Sequence, residues 1–309
     1  MSPITNPAST GASTGAKPAD RVLPATRILS IVIIPFLVVA FVLLYFWPSG
    51  DDTARLFAWR IVPDFTSMLL ASAYIGGAYF FARAASANQW HRVGGGFLPV
   101  ALFASLLGIA TVLHWDKFVH TNVAFWLWAV LYFTTPFLVV AVWWTNRAQS
   151  PPVSSDDLLL SPTTSVLIGA VGIAAIVTCV FLFLFPRSAM AVWPWTLTEL
   201  TARVTGAIFA LGAVGVGCFV ERRWSSARIL LQVEGIMLAL IAIAALRTTG
   251  DFATDKPLTW AFAAGFPVLA IGSALLYARM MPSGTASASE SFSRRTRSLT
   301  SGSTSLKCT

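Results

Sequence analysis

A chain of 309 residues that is 56% hydrophobic and only 11% charged falls far below the roughly 25% charge of soluble domains, which excludes a water-soluble globular protein. Its formal charge of +8 does not imply nucleic acid, because much of the Lys and Arg lies in loops and tails between apolar runs, where it sets membrane orientation. The partner that this composition implies is the lipid bilayer.

Residues 1–26 are rich in Ser, Thr, Pro, Gly and Ala and read as a disordered cytoplasmic tail. The first apolar run, Ile28 to Trp47, is long enough to cross a bilayer. No small-x-small cleavage pattern follows, since the chain continues Pro48-Ser49-Gly50-Asp51, so the run reads as an uncleaved span rather than a signal peptide. Further apolar runs lie at 64–84, 97–114, 123–144, 164–185, 200–220, 229–246 and 258–279, separated by short stretches bearing Pro, Gly and charge. Strand alternation is missing, and lipid admits only helices or closed barrels. The fold class is therefore all-α, a polytopic bundle of eight transmembrane helices. It divides into a four-span unit at 27–146, a cytoplasmic linker at 147–163, a second four-span unit at 164–281, and a basic Ser/Thr-rich tail at 282–309.

With the N-terminus inside, inner segments hold fourteen Lys and Arg and outer segments seven. Both termini are expected in the cytoplasm, and the protein in the plasma (inner) membrane. Tryptophan fits this placement: Trp47, Trp59, Trp115 and Trp260 fall near outer span ends, and Trp90, Trp143 and Trp224 near inner ones, at the headgroup level that indole prefers. Arg294, Arg295 and Arg297 in the tail read as topology signal.

The two halves carry matching punctuation. LLYFWPS, AWRIVPDFTS, QWHR and HWDKF in the first correspond to FLFLFPR, PWTLTELTA, RWSS and TTGDF in the second. Pairing Pro48 with Pro186, Trp59 with Trp195, Asp64 with Glu199, Trp90 with Trp224, Phe118 with Phe252 and Pro136 with Pro267 gives offsets that drift from 138 to 131, as a few small deletions produce. An internal repeat of four spans is expected. Four is even, so the halves would be parallel, related by an axis along the membrane normal. Small-xxx-small spacing at Ser72/Gly76, Ala73/Gly77 and Ala202/Gly206/Ala210 would let helix backbones approach closely in lipid.

The candidate polar residues are few. His114 and Asp116 sit in HWDKFVH, between the third and fourth spans on the outer side. The matching segment, Arg247 to Phe252, has no histidine, so a metal centre common to both halves is excluded; a polar rim whose acid caps a helix is the expected role. Glu234 is the one acid well inside a span, and intramembrane carboxylates default to a functional hypothesis, here proton or cation handling. Asp64 and Glu199 open the second and sixth spans, where an acid complements the helix dipole. Arg203 follows Glu199 by four residues, a pairing distance on one helix face.

Motifs for soluble chemistry are missing: G-x-x-x-x-G-K-[ST], H-E-x-x-H, G-x-S-x-G and C-x-x-C do not occur. No metal or cofactor is expected. Cys179, Cys218 and Cys308 are not placed for an external disulfide. HWD-x-F-x-H, then Phe125-Trp126 opening a span, with PWTLTELTARV in the second half, resembles eight-span membrane proteins of high-GC bacteria, and the excess of Arg over Lys suits such a genome. That resemblance implies the same eight-span fold over residues 28–280 and carries no activity. Three function classes follow: a structural or partner protein of the envelope, including a homo-oligomer; a transporter or channel-like bundle working through Glu234; and a membrane enzyme, disfavoured because no convergent nucleophile, base and acid is visible.

Overall fold

The structure is a computed structural model that describes residues 19–281. The tail expectations for residues 1–18 and 282–309, with Arg294, Arg295, Arg297 and Cys308, lie outside the described residues. Among the described residues eleven α-helices form: α1 (Pro24–Phe46), α2 (Gly50–Leu56), α3 (Asp64–Ser86), α4 (Phe97–Leu113), α5 (Val123–Asn146), α6 (Pro162–Leu184), α7 (Pro186–Val192), α8 (Glu199–Ala210), α9 (Ala213–Gly217), α10 (Trp224–Arg247) and α11 (Pro257–Met280). Among the described residues no strand is present, and eight helical segments are long and apolar enough to cross a membrane, the sixth being α8 continued by α9. The chain is a multi-pass membrane protein. Eight crossings return it to the side it started from, so residues 19–23 and Met281 share one face, called the terminal face below.

The helix starts follow from local chemistry. Pro24, Pro162, Pro186 and Pro257 sit in first turns, where a missing N–H is harmless and φ is already helical. Ser49, Asn122, Ser161 and Thr198 are N-caps whose side chains accept from backbone N–H groups of α2, α5, α6 and α8. Two boundaries differ from the sequence reading. The seventh span begins at Trp224 rather than 229. The polar segment before the first span is also shorter: α1 starts at Pro24, and Val22 is buried against the core.

In packing, α3 is the most buried span and contacts α1 and α10. The α8 helix packs on α6 and on α4, α5 packs on α4, and α11 contacts α10. The α3–α10 and α4–α8 contacts join the two halves. Gly76 touches Met237 of α10, and Gly206 touches Cys179 and Leu182 of α6, so the small-residue positions serve these pairs.

Elements of the two halves agree in part: α3 has 23 residues against 12 in α8, and α4 has 17 against 24 in α10, whereas the other pairs are alike in length. Both α1 and α6 have 23 residues, α2 and α7 have 7, and α5 and α11 have 24. An isolated antiparallel bridge joins Trp59 to Phe118, and another joins Trp195 to Phe252. Val119 N–H donates to Ala58 at 2.9 Å, and Ala253 N–H to Pro194 at 2.8 Å. Trp126 Nε1 donates to the His120 carbonyl, and Trp260 Nε1 to that of Thr254. The prolines pair less well: Pro136 is the fourteenth residue of α5 and Pro267 the eleventh of α11, so the two disruptions are nearly one turn apart.

Candidate functional site

Polar side chains collect in three places: the face opposite the termini, the α10–α11 contact and the terminal face. On the opposite face, Glu199 is the first residue of α8 and takes Arg187 Nε on Oε1 at 2.8 Å. Arg203, one turn along, reaches Glu199 Oε2 only at 3.8 Å. Its shorter contact is Nη1 to His114 Nε2, at 2.6 Å. Guanidinium has no acceptor, so Nε2 must accept and His114 is the neutral Nδ1–H tautomer. Burial lowers the His114 pKa below its ordinary 6.5; Arg203 lowers it further, against the opposing pull of Glu199 and Asp116. The expected Glu199–Arg203 pair is thus a chain, Arg187–Glu199–Arg203–His114, running from solvent to a histidine only 9% exposed.

The other outer candidates do not join it. Asp116 bonds the neighbouring Lys117 at 2.7 Å with both side chains exposed, and Lys117 holds its carboxyl below the usual carboxylate range. Asp64 opens α3, but the cap comes from the other half: Asp251 Oδ2 accepts from Phe65 N–H at 2.9 Å. His120 packs at a tilt against Trp115 and edge-on to Phe125, with no contact to Arg203. Among the described residues no group of three His, Cys, Asp or Glu could hold a metal.

Glu234 faces α11, where Ser273 Oγ donates to Oε1 at 3.3 Å. Gln232 joins the same pair of helices: it accepts from Tyr79 of α3 at 2.8 Å and donates to Tyr277 of α11 at 2.7 Å. These bonds tie α11 to α10. Two shallow clefts lie elsewhere, one beside Arg83 and Arg92 and one between α6 and α9.

The terminal face holds a cluster that no sequence motif announced. His91 lies in a turn of 3-10 helix between α3 and α4, and Ser225 is the second residue of α10. His91 Nδ1 lies 2.6 Å from Asp20 Oδ2, and Nε2 lies 3.0 Å from Ser225 Oγ. The three residues come from segments 71 and 134 positions apart, and the sequence reading therefore saw no convergence. A signal was present, since aligning QWHR with RWSS places His91 on Ser225. An ionised carboxylate only accepts, so Nδ1 carries the ring proton and Nε2 accepts from the serine hydroxyl. No family model, curated protein or solved structure matches the chain.

Proposed function

We propose that this chain is two parallel copies of a four-span unit and serves as a structural partner protein of the plasma membrane, self-associating through α11. What carries the reading is the contrast between α11 and α5. None of the most apolar stretch of α11 is buried, against 39% of that stretch in the span containing α5. Ala261, Gly265, Val268, Gly272 and Leu275 are all exposed and recur every three to four residues, forming one seam. A Cβ on Gly265 or Gly272 would meet nothing within 4 Å. The corresponding α5 positions are Leu127, Leu131, Thr134, Leu138 and Ala141, which lack glycine. In lipid, association rests on close packing at small residues rather than on hydrophobic burial. A two-fold dimer sets a seam against itself, which favours a second copy as the occupant. Transport would need a water path at Glu234; its bond to Ser273 is accounted for by α10–α11 attachment.

Disulfide cross-linking of Val268→Cys in membranes, with the three native cysteines replaced, tests this. A covalent homodimer is expected, and Gly265→Leu with Gly272→Leu should remove it. A cross-link to a protein of different mass, or a monomer at every concentration in nanodiscs, overturns self-association.

A further inference from the structure

We propose that Ser225, His91 and Asp20 form an acyl-transfer centre on the terminal face, acting on the carboxylic ester of an anionic lipid. This goes beyond assembly through α11 and does not rest on it. The geometry assigns the roles. Ser225 Oγ–H points its proton at His91 Nε2, and Asp20 fixes the ring from the other side, the arrangement in which a serine is a nucleophile and a histidine its base. His91 is held at four points: its N–H on Asp20 Oδ1 at 3.2 Å, its carbonyl under Ser226 Oγ at 2.7 Å, and both ring nitrogens. Asp20 adopts φ +44°, a left-handed conformation uncommon outside glycine and of the kind that collects at functional sites. The Ser225 N–H lies in the first turn of α10, where helix donors lack intrahelical partners. It makes no hydrogen bond among the described residues, and it lies at the positive end of a 24-residue helix. It is therefore a donor available to a developing oxyanion.

The neighbouring cavity names the substrate. It is a partly open cleft of about 360 Å³, lined by Arg83, Asn88, Gln89, Arg92 and Ile229 among others but by none of Asp20, His91 and Ser225, which lie beside it. Gln89 and Arg92 flank Trp90-His91 in sequence, and Ile229 is one turn along α10 from Ser225, about 6 Å of helix. Arg83 and Arg92 make no ion pair among the described residues. Arg27 Nη2 braces the rim on the Ala87 carbonyl at 2.9 Å. Two guanidiniums at the bilayer surface match a headgroup phosphate, which brings the lipid's ester bonds to the same level.

The step balances with water as co-reactant. Ser225 Oγ bonds to the ester carbonyl carbon while its proton passes to His91 Nε2. The carbon–oxygen bond to the glycerol breaks, and the leaving alcohol takes that proton. Water then attacks the acyl-serine and gives a proton to His91 Nε2. That proton returns to Oγ as the free acid leaves. Asp20 is a positioning residue.

The test uses the full chain in nanodiscs, treated with a fluorophosphonate and peptide-mapped. One adduct, on Ser225, is expected. His91→Ala should slow labelling about 10²–10⁴-fold. Asp20→Asn should slow it and displace the midpoint of its pH profile, which a merely structural bond would leave in place. Phosphatidylglycerol vesicles should release fatty acid, and Arg83→Gln with Arg92→Gln should raise KM for that lipid about ten-fold. No adduct on Ser225 of the unsubstituted, folded chain overturns the centre, as does labelling indifferent to His91→Ala. Equal release from phosphatidylcholine vesicles overturns the anionic headgroup.

Discussion

At the scale of single residues, the His114–Arg203 contact links local chemistry to pH. Arg203 can only donate, so the folded protein needs His114 neutral, and burial acts in the same direction. Lys117 also disfavours its charge, while Glu199 and Asp116 favour it. The folded pKa is thus below the unfolded 6.5, and the unfolded chain binds more protons between the two values. Stability from this group is complete above pH 6.5 and is lost as pH falls through that window toward the folded pKa. Thermal unfolding in detergent should therefore drop between pH 7.5 and 5.5. His114→Gln, whose amide oxygen can accept from Arg203 without titrating, should flatten the drop; an unchanged slope would remove His114 from the account. This site was half legible in the sequence. Glu199 and Arg203 announced each other by spacing, whereas His114 is 89 positions from Arg203 and no periodicity links them. Asp64 does stand in the first turn of α3, as its sequence position indicates, but the acid that accepts from the Phe65 N–H there is Asp251, which arrives by tertiary packing.

At the scale of helices, glycine decides how closely two backbones meet. A Cβ on Gly172 of α6 would lie 2.7 Å from Val216 N and 2.8 Å from Gly212 O, backbone atoms that cannot swing aside. One added methyl must therefore force α6 from α9, and overpacking of this kind costs about 1–3 kcal/mol. Gly172→Ala should lower the unfolding midpoint, while Gly217→Ala, with nothing within 4 Å of its Cβ, should leave it level or raise it. Equal effects would show that the approach is not tight. The spans themselves were readable because apolar length is a direct consequence of bilayer thickness. Gly206 stood out by its small-xxx-small spacing, but its contact with Cys179 and Leu182 of α6 could not be read, because spacing marks a helix face and leaves its partner open. The start of α10 at Trp224 was missed because Arg228 interrupts the apolar run, although a charged residue at a span end leaves the helix intact by reaching toward the interface.

At the scale of the whole molecule, the arginines of the terminal face join topology to structure. Arg223 Nη2 donates to the Pro151 carbonyl at 2.8 Å, Arg222 bonds the Leu160 carbonyl, and Arg147 stacks over Trp144 at 3.2 Å. Together with the Leu159–Arg223 bridge, the Arg222 and Arg223 contacts fasten the linker between the halves to the start of α10. The same residues supply part of the fourteen-to-seven excess of Lys and Arg on the side of the termini, the kind of excess that holds a segment in the cytoplasm during insertion. One set of charges therefore favours one orientation and closes the terminal face once inserted. The prediction is that both termini are cytoplasmic. A periplasm-active reporter fused after Thr309 should be silent, and the same reporter inserted at Ser188, in α7 on the opposite face, should be active. Replacing Arg222, Arg223 and Arg228 with Gln should weaken the bias and yield a mixed population. An active fusion at Thr309 with a silent insertion at Ser188 would invert the molecule. That result would move the Asp20–His91–Ser225 cluster to the periplasmic surface and the His114–Arg203 contact to the cytoplasm.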